Sequence, residues 1–89
     1  MIVLWTPEAV GDVVTFHRYV GRFNPMAAVK LVQSLHKAGD SLADYPERGR
    51  RGLSAGTREL VVSGTYVLVY RLRGETIEIV RVWHAAQER

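Results

Sequence analysis

Four side chains in the second half of the chain have the chemistry to act on a phosphodiester: Arg58, Arg71, Arg81 and His84. Cleavage by a neighbouring 2′-hydroxyl builds negative charge on a pentavalent phosphate, which guanidinium groups stabilise. It also needs a group titrating near neutrality to move protons, which imidazole supplies. The same residues fit a plainer arrangement, in which Arg71 and Arg81 pair with Glu59 and Glu78 across neighbouring strands and His84 ends the sheet. Residue types alone leave both open.

Other chemistries find less support. His17 and His36 stand apart, without a ligand spacing such as His-x-x-x-His, and a chain with no cysteine offers neither a thiolate nucleophile nor thiolate-held zinc. No metal and no cofactor are expected. Ser34, Ser41, Ser54 and Ser63 lack the flanking glycines of a nucleophile elbow. Residues 49–56 are glycine-rich but lack a Lys-Ser/Thr ending and do not open a helix, so they are no phosphate cradle.

The net charge of +3 is unevenly placed. Residues 1–45 are balanced, whereas in residues 46–89 every cation is an arginine and cations outnumber acids. A guanidinium fork matches carboxylates and phosphates, so this half points to an acidic or phosphate-bearing partner, although an ordinary solvated face has the same composition. The 89 residues are expected to form one domain, 1–89, since two cores would each be too small to fold unaided. A composition 47% hydrophobic and 24% charged is that of a globular chain. The lack of cysteine fits a reducing cytoplasm, and no run approaches the roughly 18 apolar residues of a membrane span. Met1 leads directly into a strand-like segment, so neither signal peptide nor anchor is expected.

The elements that must carry these residues follow from periodicity. Ile2–Trp5 is a run of strand formers that stops at Thr6-Pro7-Glu8, where threonine can cap a helix, proline fits its first turn and glutamate complements its dipole. Val10, Val13, Val14 and Val20, with Ala9 and Phe16, carry that helix to about Arg22. Asn24-Pro25 repeats the start signal, and Ala28, Leu31, Val32, Leu35, Ala38, Leu42 and Tyr45 form the buried stripe of a second helix that Pro46 ends. After a loop over residues 47–56 the period becomes two, giving strands over 57–62, 65–72 and 76–83 joined by tight hairpins at Ser63-Gly64 and Arg73-Gly74-Glu75. The expected fold is α+β, in the order β-α-α-β-β-β, with a helical hairpin on one face of a mainly antiparallel sheet. Strict alternation puts Tyr66, Leu68 and Tyr70 opposite Val67, Val69 and Arg71, and Ile77, Ile79, Arg81 and Trp83 opposite Glu78, Val80, Val82 and His84. Both faces are then largely apolar, and the one without helices should be an arginine-edged partner surface.

Five segments in this order resemble the RelE/ParE superfamily of type II toxins: Asn24-Pro25-x-Ala27-Ala28, Tyr45-Pro46-x-x-Gly49-Arg50, the string from Gly56 to Val62, the string from Tyr66 to Arg71, and Arg81-Val82-Trp83-His84. The resemblance spans nearly the whole chain. It implies a cognate antitoxin whose disordered tail folds onto the toxin in a hetero-oligomer, and Arg58, Arg71 and Arg81 are candidates to anchor it. Two activities divide the superfamily, since RelE-like members cleave messenger RNA on the ribosome and ParE-like members poison DNA gyrase. In the RelE pattern an arginine follows the first tyrosine of the Tyr-x-x-x-Tyr strand, lysines precede that hairpin, and a basic run with a tyrosine follows the last strand. Here Val67 follows Tyr66, no lysine follows Lys37, and residues 85–89 read Ala-Ala-Gln-Glu-Arg. Tyr70-Arg71 and Arg81-Val82-x-His84 look like the ParE pattern instead, so gyrase inhibition is expected, with the endoribonuclease using Arg58, Arg71, Arg81 and His84 as the alternative.

Overall fold

In the computed structural model, which describes residues 1–86, the chain runs β1 (Ile2–Trp5), α1 (Pro7–Gly21), α2 (Pro25–Ser41), β2 (Arg50–Arg51), β3 (Thr57–Val62), β4 (Tyr66–Arg73) and β5 (Thr76–His84). Both helices begin as their sequences dictate. The Thr6 hydroxyl accepts from Ala9 N at 3.2 Å and the Asn24 carboxamide from Ala27 N at 3.0 Å, each ahead of a proline that has no amide hydrogen to lose.

The strands form one sheet in the order β1-β5-β4-β3-β2. β1 lies parallel to β5 and the other pairs are antiparallel. The turn between β3 and β4 spans Ser63, Gly64 and Thr65, one residue longer than expected, and puts Ser63 and Gly64 at φ of 54° and 72°, a left-handed pair that follows the twist of the flanking strands. α1 and α2 cover one face, where Ala9, Leu35, Leu42, Leu60, Leu68, Tyr70, Ile77, Ile79 and Val82 make the core. Residues 47–56, expected to be loop, include the two-residue strand β2, which pairs Arg50 with Glu59 and Arg51 with Arg58.

Two sequence expectations fail for identifiable reasons. The apolar stripe of α2 read from sequence reaches Tyr45, but the helix stops at Ser41 and Tyr45 is 68% exposed. Leu42, Ala43 and Asp44 donate to carbonyls three residues back, so the chain leaves the 3.6-residue path and positions extrapolated along it no longer face the sheet. The alternation of β5 fails at Val80. Val69 pairs with Arg81 but Tyr70 with Ile79, so Val80 is an extra residue, a β-bulge that reverses the facing of all that follows. Val82 and His84 therefore join Ile77 and Ile79 beneath the helices, and Arg81 and Trp83 move to the open face.

The predicted stripe of α2 is otherwise sound, with Leu35 1% exposed in the core. Leu35→Ala should lower stability by about 2–5 kcal/mol, the range for a cavity at a packed leucine. Tyr45→Ala should stay within about 0.5 kcal/mol of the parent, as exposed substitutions do. Urea titrations of both variants check the assignment.

Candidate functional site

The bulge is held from both sides by α1. As β1 ends, Thr6 donates its amide to Ile79 O at 3.0 Å and its hydroxyl to Val80 O at 3.1 Å, while the same hydroxyl oxygen caps α1. Beyond Ile79 the edge of β5 has lost β1 as a partner, and its amide at Val82 would be an unsatisfied donor. The Asp12 carboxylate, reaching from α1, accepts that amide at 2.8 Å. It also takes the Arg81 guanidinium in two bonds, from Nε at 2.8 Å and Nη2 at 3.1 Å. This pairing raises the Arg81 pKa further and keeps the arginine charged. Arg81 also lies 4.8 Å over the Trp83 ring, within cation–π range.

The four residues singled out for phosphodiester chemistry do not converge. Arg58 pairs with Tyr70 and so lies on the helix face, where its Nη1 donates to Gly49 O at 2.7 Å and Glu47 O at 3.3 Å. His84 pairs with Tyr66 on the same face, and their rings meet edge-on at 5.2 Å. Tyr66 in turn meets Phe16 of α1, and burial there pushes its phenol pKa up. Arg71 and Arg81 occupy the opposite face. Arg71 Nε bonds Glu78 at 2.7 Å, and that hydrogen bond, aided by Arg73, lowers the Glu78 pKa. The cross-strand pairing expected from sequence is thus present for Arg71. Glu59, however, pairs with Arg50, and Arg81 with Asp12, an acid 69 positions away that strand alternation could not point to.

The loop before β3 is fastened to the helix face by the hydroxyl of Tyr70, a contact that strand alternation does not predict. The Tyr70 hydroxyl accepts from Gly49 N at 2.8 Å and donates to Pro46 O at 2.8 Å, next to the carbonyls that Arg58 holds. A Cβ on Gly49 would stand 2.8 Å from both Glu59 O and the Tyr70 ring, so only glycine fits.

The open face is less bare than alternation implied. Val67 is buried and Val69 and Trp83 are half-buried, while Val61 is 44% exposed. The bulge brings Trp83 beside Val67, and residues 52–57 fold towards Glu59. Leu53, Ser54, Thr57, Glu59, Val69 and Trp83 line a depression of about 290 Å³ there. Edged by Arg50, Arg71 and Arg81, this is an apolar floor with a charged rim. Among the described residues no three potential metal ligands come together, and no helix is long and apolar enough to cross a membrane.

Comparison with known proteins places this geometry among relatives. A family model described as the ParE toxin of the type II toxin–antitoxin system, parDE, matches residues 3–89. A protein named Toxin RelE2 from Caulobacter vibrioides is 45% identical over 85 residues, covering 96% of each chain. Toxin RelE3 of the same organism is 31% identical over 86 residues, covering 93% of this chain and 92% of its own. A solved structure described as the chromosomal ParDE TA system from P. aeruginosa superposes with a TM-score of 0.85 at 24% identity, over 94% of this chain and 95% of that one.

The role of Asp12 can be measured. Asp12→Ala leaves the Val82 amide without an acceptor and should cost about 1–3 kcal/mol, whereas Asp12→Asn keeps an acceptor oxygen and should cost less. Equal losses in denaturant titrations of the two variants would show that charge, not the edge hydrogen bond, is what matters.

Proposed function

Since this chain belongs to the ParE toxin family of type II toxin–antitoxin systems, we propose that it acts without catalysis, by binding DNA gyrase and trapping its cleaved-DNA intermediate. The observation that carries this reading is the division of the candidate nuclease residues between two faces of the sheet. Arg58 and His84 lie with the helices and Arg71 and Arg81 on the open side, each arginine already engaged by a carbonyl or carboxylate. Arg58 is held by the loop carbonyls, Arg71 by Glu78 and Arg81 by Asp12 of α1 at the β5 edge, so the set is not gathered around one phosphate position. Each missing donor to a transition-state oxyanion costs on the order of 10² to 10³ in rate, so a divided set supports binding over cleavage.

The endoribonuclease alternative draws its support from the relatives named RelE2 and RelE3. The two readings part in one experiment. Purified chain incubated with gyrase and relaxed plasmid should block supercoiling and accumulate cleaved DNA, and translating ribosomes given the same chain should keep their message intact. Message cut within codons in the decoding site, with gyrase untouched, would reverse the conclusion.

The partner proposed for the open face is the cognate antitoxin. Its apolar floor suits side chains of a segment that folds on binding, and its rim suits acidic groups. Of the three arginines expected to anchor that segment, Arg71 and Arg81 share this face, and Arg58 lies on the other. Replacing Arg71 or Arg81 by alanine should weaken antitoxin binding by about 2–5 kcal/mol where the pair becomes buried. Arg58→Ala should act mainly through stability. Calorimetric titration of each variant with the antitoxin separates the three.

A further inference from the structure

The tip of the helical hairpin combines exposed aromatic side chains with cations that stand apart from any acid in sequence. Between Asp12 and Asp40 the sequence contains no carboxylate, while Arg18, Arg22, Lys30 and Lys37 all fall in that interval. Three of these cations surround the turn from α1 to α2. Arg18 and Arg22 are four apart at the end of α1, and Lys30 lies one turn beyond Met26 on α2. All three are exposed, and none forms an ion pair among the described residues. Four other exposed arginines, Arg50, Arg71, Arg73 and Arg81, each have a carboxylate at 3.7 Å or less, whereas Arg48 and Arg51 in the loop before β3 do not among the described residues.

Within this cationic frame the tip holds large apolar side chains out in water: Tyr19 is 60% exposed, Phe23 75% and Met26 67%. The first two are joined, their rings meeting edge-on with centroids 5.5 Å apart. Nor is the turn loose. Phe23 N and Asn24 N both donate to Val20 O, at 3.0 and 2.9 Å, and Asn24 caps α2. The turn is thus closed by its own backbone hydrogen bonds with Phe23 exposed at its point. Exposed aromatic surface at a rigid point is what a binding hot spot looks like before its partner arrives.

We propose that this tip is the toxin's contact with the protein it inhibits, and that it docks an acidic segment of that target carrying an apolar side chain to set between Tyr19, Phe23 and Met26. The proposal rests on the inhibitor reading above and places target and antitoxin on different surfaces, the tip and the open sheet face. Charge complementarity selects the occupant, since a stretch without a single carboxylate repels cationic partners and steers acidic ones. A lipid surface suits it less well, because three cations at about 1 kcal/mol each and three side chains fall short of the two strong signals that stable membrane anchoring takes. Nucleic acid suits it less well too, because the edge-on Tyr19–Phe23 pair is already engaged and offers no free stacking platform.

The test uses the whole chain in the gyrase supercoiling assay with two double variants. Arg22→Glu with Phe23→Ala should raise the half-inhibitory concentration at least ~10-fold, the change that loss of about 1.4 kcal/mol of contact gives, while melting temperature and antitoxin affinity stay at parental values. Arg22→Lys with Phe23→Leu, which keeps charge and apolar bulk, should inhibit like the parent. Parental inhibition by the first variant would overturn the proposal, as would a parallel loss of antitoxin affinity, which would give the tip to the antitoxin. Cosedimentation of the parent with phosphatidylglycerol vesicles, or a gel shift of linear duplex DNA, that vanishes in the first variant would give the tip to lipid or nucleic acid and overturn it equally. A parent chain that leaves gyrase unaffected would remove the inhibitor reading itself, and this proposal with it, a result distinct from a parent that inhibits while the variant does too.

Discussion

One inserted residue, Val80, sets which side chains of β5 face the helices and which face the opposite way, and α1 holds that insertion in place. The hold is made of a few polar bonds at the point where β1 turns away from β5. Thr6 satisfies the strand on one side of the bulge while it caps the helix, and Asp12 satisfies it on the other side while it engages Arg81. A sheet edge abandoned by its neighbour must find partners for its amides, and a helix starting at that edge supplies them. Without the bulge Val82 would leave the core and Arg81 would be driven beneath α1, so packing and polar satisfaction require the same irregularity.

A second fastening, at the other side of the sheet, explains a motif that periodicity could only list. The carbonyl of Pro46, the amide and carbonyl of Gly49 and the carbonyl of Glu47 all meet Tyr70 or Arg58. These bonds bring an irregular segment down onto the sheet, so β2 can form as a strand of two residues. Tyr70 is 0% exposed. Its ring therefore contributes to the core while its hydroxyl satisfies backbone groups of a loop. Arg58, which looked like a catalytic or docking cation, is spent on the same task.

The arginines consequently divide by what surrounds them. Arg58 holds the loop, Arg71 and Arg81 are paired on the open face, and Arg18 and Arg22 at the hairpin tip have no acid near them in sequence. On the inhibitor reading proposed above, this division offers two surfaces of different chemistry, one for a target and one for neutralisation. The open face has charges already balanced, which a partner must out-compete, whereas the tip has cations without an ion pair among the described residues and aromatic rings exposed to water.

Sequence by itself determined the elements and their order, the two-residue β2 excepted. Thr6-Pro7 and Asn24-Pro25 state helix starts in local chemistry, Ser63-Gly64 states a hairpin, and the change of period after Gly56 states the switch from helix to sheet. Those signals act over a few residues, so they survive reading one stretch at a time, and together with five motif segments they sufficed for the family. Tertiary structure alone decided where Arg58, Arg71, Arg81 and His84 point relative to one another. Their separation depends on a bulge that no local residue pattern in β5 announces, on an aspartate 69 positions from the arginine it binds, and on a tyrosine hydroxyl 24 positions from the carbonyl it reaches. A strand's facing reverses with a single added residue, and whether one is added depends on which amides a distant helix can satisfy, a long-range condition that a local sequence pattern does not contain.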